Sequence, residues 1–260
     1  QPLPGFGMYL YFALMGFFGL SVMFGYRYRI AIIAYTLLWA GAYFMQKSSY
    51  NNHYYLLLLI SFLMIFLPAN RYASIDVKQN RVSEEKTMPY WINLLFIIQI
   101  SIVYFYASIA KFYPDWLDGT FTKNLLAGTT TRPFFLELFS QKWFYLFIAY
   151  AGILFDLLVV PLLLFKRTRT LALLASLVFH IFNSITLQIG IFPFFALTFA
   201  LFFYEPETIR RIFLRKKPKL EEKINQNFYG KGIVYFLMIP YLIIQLALPL
   251  RHHFIEGDVL

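Results

Sequence analysis

The amino-acid sequence predicts an all-α fold: a polytopic integral membrane helical bundle of about eight transmembrane or re-entrant segments. Three observations carry this prediction. Hydrophobic residues make up 60% of the 260 and charged residues 14%, with mean hydropathy +0.60, well beyond what a soluble core requires. Apolar runs of spanning or near-spanning length recur along the chain, and each satisfies its own backbone in lipid if it is helical. Lysine and arginine concentrate between alternate runs.

The runs fall at about 8–24, 30–45, 54–68, 92–113, 143–165, 171–188, 189–204 and 231–250. The first two flank Arg27 and Arg29, and the polar stretch "QKSSYNNHYYL" separates the second from the third. The fourth carries Lys111 near its end; the fifth carries Asp156 and stops before Lys166, Arg167 and Arg169. The sixth carries His180, and "IGIFPF", with Gly190 and Pro193, breaks it from the seventh, so that pair is open to being one bent or re-entrant unit. The eighth leads to His252 and His253. With neither a repeat nor a low-complexity linker, a single membrane domain is expected over 1–260. The start at Gln1, with no visible signal peptide, leads us to expect a piece of a longer protein.

Alternating the sides of these runs puts 17 Lys and Arg on one side and 5 on the other, with Lys111 left within a span. The richer side is expected to be cytoplasmic. The segment "RRIFLRKKPKLEEK", 210–223, then lies on anionic membrane lipid, and the net charge of +10 needs no nucleic-acid partner. The same alternation places Asn51, Asn52 and His53 on the non-cytoplasmic side together with "KFYPDWLDG", 111–119.

The chemistry-bearing residues are few. Ser108, Tyr104 and Ser101 precede Lys111 by three, seven and ten positions, within an arc of about 80° on a helix. Lys111 therefore tops a polar stripe. It is either a snorkelling interfacial cation or an amine that burial has stripped of its proton, able to act as a general base. His180 has Ser176, Asn183 and Ser184 on its helical face, which fits either a helix–helix hydrogen-bond site or a donor in an active site. Asp156 is costly in lipid and is expected to pair with a neighbouring span. His252 and His253 lack a carboxylate cluster, so no metal site is expected. Zero cysteines exclude thiol nucleophiles and Cys-ligated metals. Phosphate-binding loop, G-x-S-x-G and H-E-x-x-H signatures are missing too. The 31 Phe and 20 Tyr suit a flat apolar ligand such as a quinone, although lipid-facing packing uses the same rings.

Four stretches, "KSSYNNHYYL", "PANRYASID", "QISIVYFYASIAKFYPDWLDG" and "FHIFNSITLQIGIFPF", together resemble the vitamin K-dependent gamma-carboxylase family, whose membrane part is also called the HTTM domain. The resemblance runs through essentially the whole chain and keeps the order and the intervals between His53, Lys111 and His180; lean loops resemble bacterial members. It implies that Lys111 is the base that deprotonates a reduced vitamin K or menaquinone-type quinol. Oxygen addition then gives a strong alkoxide base, which removes the gamma proton of a protein glutamate; the carbanion captures CO2 and the quinol ends as an epoxide. The resemblance further implies that His53 supports this chemistry, that Asn51, Asn52, His180 and Asn183 are polar groups around the quinol, and that Gln99 matches a family glutamine on the lysine helix. O2 and CO2 are the implied co-substrates, without a metal. Quinol enters from the bilayer, and a glutamate-containing protein substrate arrives from the non-cytoplasmic side. Family members have a further helix upstream and usually a non-cytoplasmic domain downstream, and this chain is expected to lack both. Two alternatives stay open: a quinol epoxidase using another acceptor or none, and a non-enzymatic quinone- or lipid-binding membrane protein or transporter in which Lys111 is a structural counter-ion.

Overall fold

Apolar side chains cannot hold a backbone N–H or C=O, so each run closes its own hydrogen bonds as a helix until a Gly or Pro interrupts it. The computed structural model describes residues 3–45, 52–129, 133–186, 190–216 and 231–253. In chain order its α-helices are α1 (Gly7–Phe24), α2 (Tyr28–Met45), α3 (Asn52–Phe66), α4 (Ile75–Lys78), α5 (Tyr90–Ile109), α6 (Pro114–Leu117), α7 (Thr120–Ala127), α8 (Pro133–Ser140), α9 (Lys142–Leu164), α10 (Arg169–Thr186), α11 (Phe192–Phe199), α12 (Pro206–Phe213), α13 (Lys231–Ile233) and α14 (Ile239–Ala247). No strand occurs among the described residues. The protein is an all-α polytopic membrane protein: α1, α2, α5, α9 and α10 are long and apolar enough to cross a bilayer, and Asn52–Phe66, Phe192–Phe203 and Val234–Leu250 form shorter apolar helical segments.

The expected runs differ from the helices in three places. α3 ends at Phe66 rather than 68, since Pro68 has no N–H to continue the ladder. α5 ends at Ile109, leaving Lys111 in the closing turn instead of inside the span. The break read at Gly190 and Pro193 is kept, since α10 and α11 are separate helices, with Gly190 left-handed at φ 64° and Pro193 in the first turn of α11. The last run is helical with a π-helical stretch, Val234–Met238, just before Pro240, whose missing N–H leaves the carbonyl four residues earlier without its usual donor. The connection 114–140, featureless in hydropathy, holds α6, α7 and α8.

The helices divide into two units: residues 1–89 with 206–228, and residues 90–205 with 229–260. In the first, α1 packs on α2 and α2 on α3. α1 terminates in a Schellman arrangement, with Gly25 N–H on Val22 O at 3.1 Å and Tyr26 N–H on Ser21 O at 2.8 Å. Gly25 has φ 62°, and a Cβ there would lie 2.5 Å from Ser74 Cβ, so both backbone and packing select glycine.

Asp76 holds this turn. Its Oδ1 accepts the Arg27 N–H at 2.9 Å, and its Oδ2 accepts the Tyr28 N–H at 3.0 Å and the Asn70 amide at 2.8 Å. The Arg81 guanidinium reaches Oδ1 at 3.4 Å, and the Asp76 N–H donates to Gly25 O at 3.0 Å. A buried carboxylate thus caps the N-terminus of α2, where the open N–H groups and the helix dipole favour an anion. The "PANRYASID" stretch serves as a clasp between the α1–α2 turn and α4.

In the second unit α9 packs against α5, α10, α7 and α8, and α5 also meets α11 and α14. Half of the α5 span is buried against 6% of α1, which makes α5 the central helix of its unit. Ile92, Leu95, Phe96, Ile97, Ile100 and Ile102 form its apolar core.

Burial alone would raise the Asp76 carboxyl, but the Tyr28 N–H, the Asn70 amide, the Arg27 N–H and Arg81 outweigh it and hold the group below the usual carboxylate range. Between its folded and unfolded values the unfolded chain binds more protons. The stabilisation is therefore complete above about pH 4 and is lost as pH falls through the folded value. Asp76→Asn is expected to cost about 1–3 kcal/mol at neutral pH, with the gap to wild type closing on acidification, measured by thermal unfolding in lipid nanodiscs.

Candidate functional site

α5 places its polar residues along a helix that is otherwise apolar, and three other helices supply their partners. Gln99 is 1% exposed, and its Oε1 accepts the Tyr241 hydroxyl of α14 at 2.6 Å. Tyr104 shares a hydrogen bond of 3.0 Å between its hydroxyl and His180 Nε2 of α10. Lys111 Nζ forms an ion pair with Asp156 Oδ2 of α9. Ser108, fully buried, returns its hydroxyl to Phe105 O at 2.7 Å. The stripe expected along this face is therefore real, and its members are bonded.

Lys111 sits where α5 runs out. Its own N–H bonds Ser108 O at 3.1 Å, and its Nζ also donates to Ala107 O at 3.0 Å, filling a carbonyl that the helix end leaves open. The Trp116 ring lies over the amine, 5.3 Å from Nζ to the centroid. The lysine side chain keeps 18% exposure and the Asp156 side chain 6%.

The segment after Lys111 is fastened to α9 so that Trp116 stays in place. Trp116 Nε1–H donates to Ala149 O at 3.0 Å, and Tyr150 donates its hydroxyl to Leu117 O at 3.1 Å. Gly119, at φ 82°, lets the chain pass so close that a Cβ would meet Tyr145 Cδ2 at 2.5 Å. Phe121 stacks on Trp116 at 5.0 Å. The second half of "KFYPDWLDG" is a strap laid along α9.

An aromatic cluster fills the space beside the Tyr104–His180 bond. Phe155 meets Tyr104 and His180 edge-on at 5.9 and 5.8 Å and stacks on Phe179 at 3.9 Å. A cavity of about 10 Å³, bordered by Tyr104, Ser176 and the apolar side chains of α9 and α11, has room for about one water and no ring.

Gln99, Lys111, His180 and Asn183 thus lie in one unit, with Asn183 half-buried on α10. His53, half-buried, and Asn52, exposed, open α3 in the other unit, and Asn51 lies outside the described residues. The basic stretch beyond 216 is likewise outside them. No group of three or more His, Asp or Glu among the described residues is arranged to hold a metal ion. Asp156, Trp116 and Tyr241 escaped the list of site residues. Charge matching pointed to the first, since Asp156 is the one anion inside the expected spans and Lys111 the one cation apart from Lys231, which opens the last of them.

Removing one member of a buried pair strands the other charge, which typically costs about 3–5 kcal/mol. Asp156→Ala is expected to destabilise by that amount, and the pair Lys111→Met with Asp156→Leu to recover most of it. A double-mutant cycle on unfolding temperature in nanodiscs measures the difference.

A family model for the HTTM domain matches residues 1–207, a span that contains His53, Gln99, Lys111, Asp156 and His180. No solved structure matches the chain. With most of its length matched, and with the helices and polar pairs described above, the chain belongs to the HTTM domain family, the membrane domain associated with vitamin K-dependent carboxylase-type proteins.

Proposed function

We propose that this protein is a vitamin K-dependent gamma-glutamyl carboxylase-like enzyme, which couples oxygenation of a reduced naphthoquinone to its epoxide with carboxylation of a protein glutamate. The observation that carries the reading is the Lys111 amine, held at the end of α5 by Asp156, Ala107 O and the Trp116 face. The bound quinol supplies the reducing electrons for O2, and CO2 supplies the new carboxylate. The residues of the Lys111 unit suit such a ligand: an amine that takes a hydroxyl proton, imidazole and amide groups at His180 and Asn183 that hydrogen-bond an oxygen, and aromatic faces that take a flat ring. Entry from the bilayer is assigned to the partly exposed Lys111 side chain. The charge alternation supports a site facing away from the cytoplasm, where a glutamate-bearing protein reaches it.

Lys111 is the proposed base, and its role sets the division of labour. The Ala107 carbonyl and the strap fix where Nζ points, so little rearrangement is needed when a hydroxyl proton arrives. His180, Asn183 and Gln99 are assigned to the ligand's surroundings, with the first and last held by Tyr104 and Tyr241. An epoxidase that lacks the glutamate acceptor would use the same groups.

A second reading has its own observation. The ion pair with Asp156 and the capping of Ala107 O are also what a purely structural lysine does at a helix C-terminus. In that case the protein binds quinone or lipid without chemistry.

Lys111→Arg separates the two. Guanidinium keeps the charge and the pair but cannot accept a proton. The enzyme reading expects at least about a hundredfold loss of epoxide formation in a folded Lys111→Arg protein, measured with reduced naphthoquinone, O2 and labelled bicarbonate, with and without a Glu peptide. Full activity in that variant sinks the base assignment, and a folded wild type that forms neither product favours the scaffold. Epoxide without labelled peptide identifies the epoxidase.

A further inference from the structure

We infer that Asp156 is the positioning residue and proton partner of Lys111: the two side chains hold one proton between them, and Lys111 takes a hydroxyl proton from a reduced naphthoquinone by passing its own to Asp156. The inference rests on the oxygenase reading given under Proposed function.

The geometry carries it. Lys111 Nζ is in direct contact with Asp156 Oδ2, and Asp156 is buried on α9. An ammonium has three N–H bonds and no lone pair, so a paired Lys111 accepts nothing until one proton leaves. The Asp156 carboxylate already accepts from the amine and is the base in direct contact with the proton that must leave. The transfer balances without an outside base. One N–H bond of Lys111 breaks as an O–H bond forms on Asp156 Oδ2. The ligand's O–H bond breaks as an N–H bond re-forms on Lys111, and the electron pair of the broken bond stays on the ligand oxygen beside a renewed ammonium. Attraction between that ammonium and the new negative charge favours the step in a site of low polarity.

Such an exchange takes no proton from water and gives none to it, so the supply of basic amine does not depend on pH. The other titratable groups on the elements packed around the pair are Tyr90, Tyr104 and Tyr106 on α5, Lys142, Tyr145 and Tyr150 on α9, Arg169 and His180 on α10, and Tyr113 at the start of the strap, with Tyr104 and His180 bonded to each other. Asp115, Asp118, Lys123 and Glu137, on the strap and on α7 and α8, are exposed. A carboxylate that merely anchors a lysine predicts a different dependence, because the amine must then lose its proton to solvent.

Two measurements on the full-length protein in nanodiscs decide between these. The first is epoxide formation from reduced 2-methyl-1,4-naphthoquinone as a function of pH. The second, independent of turnover, is the acylation rate of Lys111 by a small anhydride, read by peptide mass spectrometry, since only the neutral amine reacts. Wild type is expected to give flat profiles in both between about pH 6 and 9, and Asp156→Asn to give rates that climb about tenfold per pH unit in both. Asp156→Glu, which keeps the carboxylate, is expected to restore the flat profiles at a lower rate. Should Asp156→Asn fail to fold, Asp156→Glu decides alone, and a sloped profile in that folded variant overturns the inference. Identical profiles in wild type and Asp156→Asn overturn it as well. A wild type that yields no epoxide yet shows flat acylation sinks the oxygenase reading while leaving the shared proton standing.

Discussion

A polar side chain on a helix in lipid must find a partner inside the protein, because the solvent around it offers none. Three such groups on α5 and its closing turn are answered by side chains of other helices in the second unit. Tyr241 of α14 serves Gln99, His180 of α10 serves Tyr104, and Asp156 of α9 serves Lys111. Apolar packing against α5 tolerates small rotations and slips of its neighbours, whereas a hydrogen bond does not. Each bond therefore fixes the rotation and height of one helix relative to α5, and Tyr106, which donates its hydroxyl to Leu246 O at 2.7 Å, adds a second tie to the last helical segment.

The two units use a common device at their turns. Asp76 reaches across 48 residues to cap α2, and Trp116 reaches across 33 to the Ala149 carbonyl. In both cases a glycine with positive φ, Gly25 or Gly119, lets the backbone come within contact of a neighbouring side chain. Irregular backbone near a membrane must be satisfied within the protein. A turn tied down in this way holds a neighbouring side chain with little motion, as the strap does for Lys111.

Much of this was legible in the sequence. All eight apolar runs appear as helical segments because burial in lipid demands hydrogen-bonded backbone and long apolar runs have few other solutions. The 3.6-residue period was enough to align Ser108 and Tyr104 with Lys111. Asp156 was recognisable as a residue in need of a partner, but 45 positions separate it from Lys111 and no periodicity spans that gap. Tyr241 was lost among 20 tyrosines. α6, α7 and α8 escaped because they are short, and hydropathy marks only runs that approach spanning length. The clasp at Asp76 was visible as a family stretch, while its purpose depended on the fold of α1 against α2.

The closing turn of α5 has a consequence for direction. The Lys111 nitrogen has three positions beyond its own carbon, and the Ala107 carbonyl and Asp156 take two of them. One remains, and the orientation of the helix end determines where it points. On the charged amine that position is a hydrogen, compatible with the electron-rich face of Trp116 that lies over the amine. The indole, itself fastened through the Ala149 carbonyl, thus completes the surroundings of the ammonium with a face that carries no oxygen.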